Sequence, residues 1–98
     1  MLVTPDGGVK LCDFGTAKFT KSPLPFTKRV TTRYYRSPEM LFDSDSYTSS
    51  IDIWGCGCIL AEMLLGEPIF KGTTDIEQLG KIMTVLGTPL ENDWKEAE

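Results

Sequence analysis

The stretch from Ile51 to Leu65 carries eleven apolar residues in fifteen, and no other feature constrains the fold of this chain as strongly. Ahead of it, Ser49-x-x-Asp52 matches a capping box in its acidic form, and Gly66 behind it is a good C-terminal stop. The spacing predicts a helix over 49–66. Its apolar residues fall nearly all round the axis, which places it inside a core and not on a surface. It holds Asp52 and Glu62, and a bilayer needs about 20 apolar residues, so it is not a membrane span. In a chain of 98 residues little remains to cover such a helix. Either the protein associates or these residues belong to something larger.

Around that helix the pattern is mixed. Leu2-Val3-Thr4 and Val9-Lys10-Leu11-Cys12 read as short strands joined by the turn residues Pro5-Asp6-Gly7-Gly8, a hairpin over 1–14. Residues 15–36 show neither helical nor strand period and include Pro23 and Pro25. Compact domains seldom carry so long a loop without a use for it. Ile76, Leu79, Ile82, Met83 and Leu86 fall on one face of a second helix over 75–87, which Gly87 and Pro89 end.

Composition narrows the chemistry. With no histidine there is no Ser-His-Asp or Cys-His arrangement and no His-ligated zinc site. Cys12, Cys56 and Cys58 form neither a C-x-x-C pair nor an even set, which fits a reducing compartment better than a disulfide framework. Met1-Leu2-Val3 has no basic start and no long apolar run behind it, so no secretory signal is read there. The expected location is intracellular, cytoplasmic and/or nuclear. Net charge is −4, yet six basic residues and no acid lie between Thr16 and Arg36, and the other four basic residues share the chain with all fourteen acidic ones. Such a run is a solvated loop, a nucleic-acid contact, or a loop that receives phosphate groups. Nucleic acid is the weaker reading, because no aromatic interleaves the run before Tyr34-Tyr35.

Gly55-Cys56-Gly57 lacks a third glycine, with Leu60 in its place, and lies within a helix, so helix packing accounts for it better than a dinucleotide loop. Asp13-Phe14-Gly15 is more telling. An Asp just past a strand and followed by Gly can present its carboxylate into a cleft, and Mg²⁺ prefers such oxygen ligands, often shared with nucleotide phosphates.

Taken in order, Lys10-Leu11-Cys12-Asp13-Phe14-Gly15, Thr31-Thr32-Arg33-Tyr34-Tyr35-Arg36-Ser37-Pro38-Glu39 and Asp52-Ile53-Trp54-Gly55-Cys56-Gly57 resemble the C-terminal lobe of a eukaryotic protein kinase. The first looks like the strand and DFG motif, the second ends in an APE-like motif with Ser37 in place of Ala, and the third looks like the start of the F helix with Gly55 where Ser is usual. Three motifs in order are far more specific than any one. The second string, with Leu86-Gly87-Thr88-Pro89, is similar to the CMGC group, which holds the cyclin-dependent and MAP kinases. Asp75-Ile76-Glu77-Gln78-Leu79 leans to the cyclin-dependent branch. The resemblance covers about residues 1–94. It implies a kinase-like α+β fold, here a C-terminal-lobe fragment that is mainly α with a short hairpin and a long activation loop.

By position, the resemblance gives Asp13 the Mg²⁺ that bridges the ATP phosphates, Leu2 the floor under the adenine, and Cys12 the pocket wall before the metal ligand. Phe14 packs into the regulatory spine, next to Gly15 of the same motif. Residues 13–39 become the activation segment, with Thr27 where this group carries its activating phosphothreonine. The Thr-x-Tyr pattern of MAP kinases is not met, because Arg29 stands at the Tyr position. Thr32 hydrogen-bonds the catalytic Asp. Arg36 takes up the carbonyl of Thr31, leaving no acceptor for the amide after the phosphoacceptor, a loss that proline does not feel. This predicts proline-directed Ser/Thr phosphorylation of protein substrates, with a cyclin or other activator as partner and with neither nucleic acid nor membrane. Asp52 anchors the catalytic loop, and Glu39 pairs with an Arg outside these residues.

The Gly-rich loop, the strand Lys, its Glu partner and the H-R-D loop are not in the sequence. The resemblance places the second Mg²⁺ ligand, an Asn, one residue before Met1, as if Met1 were an internal Met. The expectation is an ATP- and Mg²⁺-dependent kinase fragment that is inactive by itself. The alternatives are a non-catalytic interaction piece and a pseudokinase piece. Locally, Asp52 also reads as a helix cap, Glu39 as a surface carboxylate, and the three cysteines as small buried residues.

Overall fold

The structure is a computed structural model and describes residues 1–20, 32–42 and 47–90. Strands β1 (Leu2–Val3) and β2 (Val9–Lys10) form an antiparallel hairpin with Leu2 opposite Lys10 and Val3 opposite Val9. Its turn closes through Thr4 N–H to the Gly8 carbonyl (2.8 Å) and Gly7 N–H to the Thr4 carbonyl (2.9 Å). The Thr4 hydroxyl also bonds the Asp6 carboxylate. This bond is the main reason the Asp6 carboxyl lies below its usual range.

A single 3₁₀ turn, Arg33–Tyr35, leads into the short helix α1 (Pro38–Leu41), with Pro38 in its first turn, where the missing N–H costs nothing. Helix α2 (Ser50–Leu65) and helix α3 (Asp75–Leu86) match the predicted spans to within a residue at each end. The start of α2 does not. Ser49 has helical dihedrals and its side chain caps nothing, so the Ser49-x-x-Asp52 box does not form. The Thr48 hydroxyl instead accepts from the Ser50 N–H at 3.3 Å. At the far end the box's partner signal holds: Gly66 takes the left-handed conformation (φ 81°) that a residue with a Cβ adopts at a cost.

The core is small. Leu41, Cys58, Phe70 and Ile82 are buried together, with Tyr35, Trp54, Ile69 and Leu79 packed against them. Trp54 and Phe70 stack with ring centroids 6.0 Å apart. Burial also pushes the Cys58 thiol pKa up. Cys12 and Cys56, expected as small buried residues, are exposed because no described element covers them.

The apolar face read for α3 is only half used. Ile82 is buried and Leu79 and Met83 are half-buried, but Ile76 and Leu86 are exposed. Gln78, a polar residue, is the fully buried one. On α2, Ile53, Leu60, Met63 and Leu64 recur at helical spacing along one exposed stripe, while Trp54 and Cys58 face the core. This is the uncovered helix that the sequence implies. No helix among the described residues is long and apolar enough to cross a membrane.

Candidate functional site

The sequence-predicted residues fall into two groups. The first lies along the hairpin and just after it. Leu2, Cys12, Asp13, Phe14 and Gly15 are all exposed. Cys12 stands two residues beyond Lys10, the strand end that lies opposite Leu2. Asp13 alone among the described non-glycine residues has a positive φ, 65°. That conformation disfavours side chains in general but is tolerated by Asp and Asn, and such outliers gather at functional positions. The next residues turn back at once, with the Ala17 N–H donating to the Phe14 carbonyl at 3.0 Å. A Cβ on Gly15 would lie 3.4 Å from Asp13 Oδ1, within van der Waals contact. The chain thus leaves its strand, reverses, and holds a carboxylate out at the bend. Phe14 is 67% exposed and packs into no spine among the described residues.

The second group is packed. Thr32 is exposed and precedes the 3₁₀ turn, its carbonyl accepting from the Tyr35 N–H at 3.1 Å. Arg36 is only 7% exposed, and its Nη1 donates to Asp75 Oδ1 at 3.2 Å. The same oxygen accepts from Arg33 Nε at 2.9 Å, and Arg33 Nη1 donates to the Thr73 carbonyl at 2.7 Å. Between these two arginines, Tyr35 donates its hydroxyl to Glu62 Oε2 on α2 at 2.5 Å. That bond, helped by burial, pushes the Tyr35 pKa up to about 12. The segment 33–36 is therefore tied on one side to α3 and on the other to α2. Glu39 is half-buried in the first turn of α1, and Asp52 is exposed in the first turn of α2. Thr27 and Thr31, and so the expected Arg36 contact to the Thr31 carbonyl, lie outside the described residues.

The two groups stand on different elements. Among the described elements β1 and β2 pack chiefly on each other, whereas the 3₁₀ turn packs on α2 and α3 and α1 packs on α3. Among the described residues no group of three or more His, Cys, Asp or Glu is placed to hold a metal. One exposed carboxylate at Asp13 still suits Mg²⁺, which keeps several waters and takes one or two carboxylates together with substrate phosphates.

Sequence reasoning missed Asp75, Arg33 and Gln78. A signal for the first was present: Thr74-x-x-Glu77 has the spacing of a capping box, and its Thr74 half forms while the Glu77 half reaches one residue further back. The Thr74 hydroxyl accepts from the Glu77 N–H at 3.1 Å, and the Glu77 carboxylate reaches back to the Thr73 N–H at 2.8 Å and the Thr73 hydroxyl at 2.5 Å. These bonds, the hydroxyl first, hold the Glu77 carboxyl below its usual range. The Thr74 cap fixes Asp75 as the first helical residue.

The protein kinase domain family matches residues 1–98. Among curated proteins the chain is similar to cyclin-dependent kinase D-1 of Oryza sativa subsp. indica and to that of subsp. japonica. Each is 47% identical to it over 97 residues, 98% of this chain. The chain spans 23% of the length of these relatives. With a match along its whole sequence and this identity, the chain belongs to the protein kinase family and is cyclin-dependent-kinase-like within it.

Proposed function

We propose that these residues are the C-terminal-lobe portion of an ATP- and Mg²⁺-dependent, proline-directed serine/threonine kinase of the cyclin-dependent kind. In that reading 1–14 is the hairpin leading to the DFG motif, 13–39 the activation segment, 49–66 the F helix and 75–87 the G helix. The observation that carries it is the left-handed Asp13 at the end of the hairpin, a carboxylate presented on a strained, tightly turned backbone. Asp13 is the residue that would hold Mg²⁺, with Leu2 and Cys12 beside it toward the nucleotide. Bound ATP supplies the phosphoryl group that is transferred. Thr32 orients toward the general base, which these residues do not include, and Arg36 with Thr31 sets the preference for proline after the phosphoacceptor. Thr27 is the activating phosphosite, a cyclin or other activator is the regulatory partner, and the setting is intracellular, cytoplasmic and/or nuclear.

The 98 residues lack the general base and the phosphate clamp, groups that act in the transition state, so the isolated chain transfers no phosphate. The test is phosphorylation of a Ser-Pro peptide and its Ser-Ala counterpart, with ATP and Mg²⁺, by the native gene product and by the purified 98-residue chain. The native product should favour Ser-Pro by about tenfold or more in kcat/KM, and the short chain should be inert. Turnover by the short chain contradicts the inactivity, and equal use of both peptides contradicts the proline direction. The exposed apolar stripe of α2 favours a second reading, a non-catalytic or pseudokinase piece that binds a partner through its α2 and α3 surfaces. A native product without transfer activity, recovered in a stoichiometric complex, would select it.

A further inference from the structure

We infer that Asp75 is a positioning residue for peptide recognition, setting the place of Arg36 from the start of α3. The inference rests on the proposed reading, in which Arg36 shapes the site for the residue after the phosphoacceptor. Three bonds carry it: Arg36 Nη1 and Arg33 Nε both meet Asp75 Oδ1, at 3.2 and 2.9 Å, and Arg33 Nη1 meets the Thr73 carbonyl at 2.7 Å. The Arg36 side chain is 9% exposed, so its charge is held where water compensates little. Two guanidinium groups converging on one oxygen repel each other, and the carboxylate between them is what makes the arrangement stable. That carboxylate stands on firm ground. Asp75 is the first residue of α3, where the helix dipole favours an anion, and the Thr74–Glu77 cap pins that helix end. Loss of the Asp75 charge therefore weakens the hold on both arginines at once, and Arg36 shifts the more, since Arg33 keeps its bond to the Thr73 carbonyl.

The experiment uses the native gene product and the same two peptides. D75N should raise KM for the Ser-Pro peptide and shrink the Ser-Pro to Ser-Ala ratio in kcat/KM by about tenfold, with KM for ATP unchanged. D75E, which keeps the charge, should recover most of the ratio. R33M, which leaves the Arg36–Asp75 pair in place, should give a smaller loss in the same direction and serves if D75N does not fold. A wild-type enzyme that prefers Ser-Pro, with D75N or R33M keeping its full ratio and peptide KM, overturns the inference alone. A wild-type enzyme without the preference overturns the proposed reading and the inference with it.

Discussion

The hydroxyl of Ser37 is buried, with the residue 1% exposed, and meets no hydrogen-bond partner among the described residues, although the Ser37 carbonyl accepts from both Met40 and Leu41. A buried hydroxyl without a partner costs about 1–3 kcal/mol of desolvation. Replacing it by Ala, the residue the APE resemblance leads one to expect there, should leave stability unchanged or raise it by about 1 kcal/mol. A lower urea midpoint for S37A in the native product would show that the hydroxyl is bonded after all. Tyr35 gives a pH dependence of definite sign. Its folded pKa, about 12, lies above the ordinary value of 10.0 because the phenol donates to Glu62. The stabilisation is complete below pH 10 and is lost as pH rises from 10 toward 12, since only the unfolded state ionises easily in that window. Y35F should flatten the stability profile over this range and remove a tyrosine that titrates near pH 12 from an absorbance titration. An unchanged profile would mean that the Tyr35–Glu62 bond does not form in solution.

At the scale of the elements, Gln78 explains how α3 is joined to the loop before it. Its side-chain oxygen accepts from the Gly72 N–H at 2.7 Å and its amide donates to the Phe70 carbonyl at 3.2 Å, all of it buried. The approach is so close that a Cβ on Gly72 would sit 2.5 Å from the Gln78 backbone nitrogen. Q78L keeps the volume but orphans both backbone groups and should cost about 2–4 kcal/mol, with faster hydrogen exchange at the Gly72 amide as its signature. G72A should cost about 1–3 kcal/mol by overpacking. Thermal unfolding of the two variants checks both, and wild-type behaviour in either would remove the latch from the account. Periodicity showed where α2 and α3 lie because Gly66 and Gly87 end them and apolar residues recur inside them. It could not show that Gln78 would be buried in place of Ile76, since a glutamine enters a core only when backbone groups from another segment wait for it. The same applies to Arg36, whose burial depends on Asp75, 39 residues away. The cap at Thr74 was legible by its residue types, whereas the one at Ser49 failed because Ser49 adopts helical dihedrals and cannot cap.

At the scale of the whole molecule, the chain leaves one face of its most apolar helix open. Ile53, Met63 and Leu64 are each more than 70% exposed on α2, and Leu60 is 59% exposed between them. A contiguous apolar stripe of this kind drives association in water. The isolated 98-residue chain should bind a hydrophobic dye and self-associate at micromolar concentration, and the double variant I53K/L64K should reduce both while helix content by circular dichroism holds. A monodisperse, dye-silent wild-type chain would show the stripe to be covered. The motif order was legible in the sequence because local chemistry writes it. The joining of the hairpin group to the packed group was not, and among the described elements the hairpin packs chiefly on itself. What unites them in the proposed kinase is the substrate pair, with Asp13 on the nucleotide side and segment 32–36 on the peptide side. The most direct measurement is phosphoryl transfer by the native gene product carrying D13N. Asn tolerates the left-handed backbone at this position, so the variant keeps the bend and loses only the charge. Transfer to the Ser-Pro peptide should fall by about a thousandfold or more with the fold intact. A D13N enzyme that phosphorylates the peptide at the wild-type rate would contradict the account.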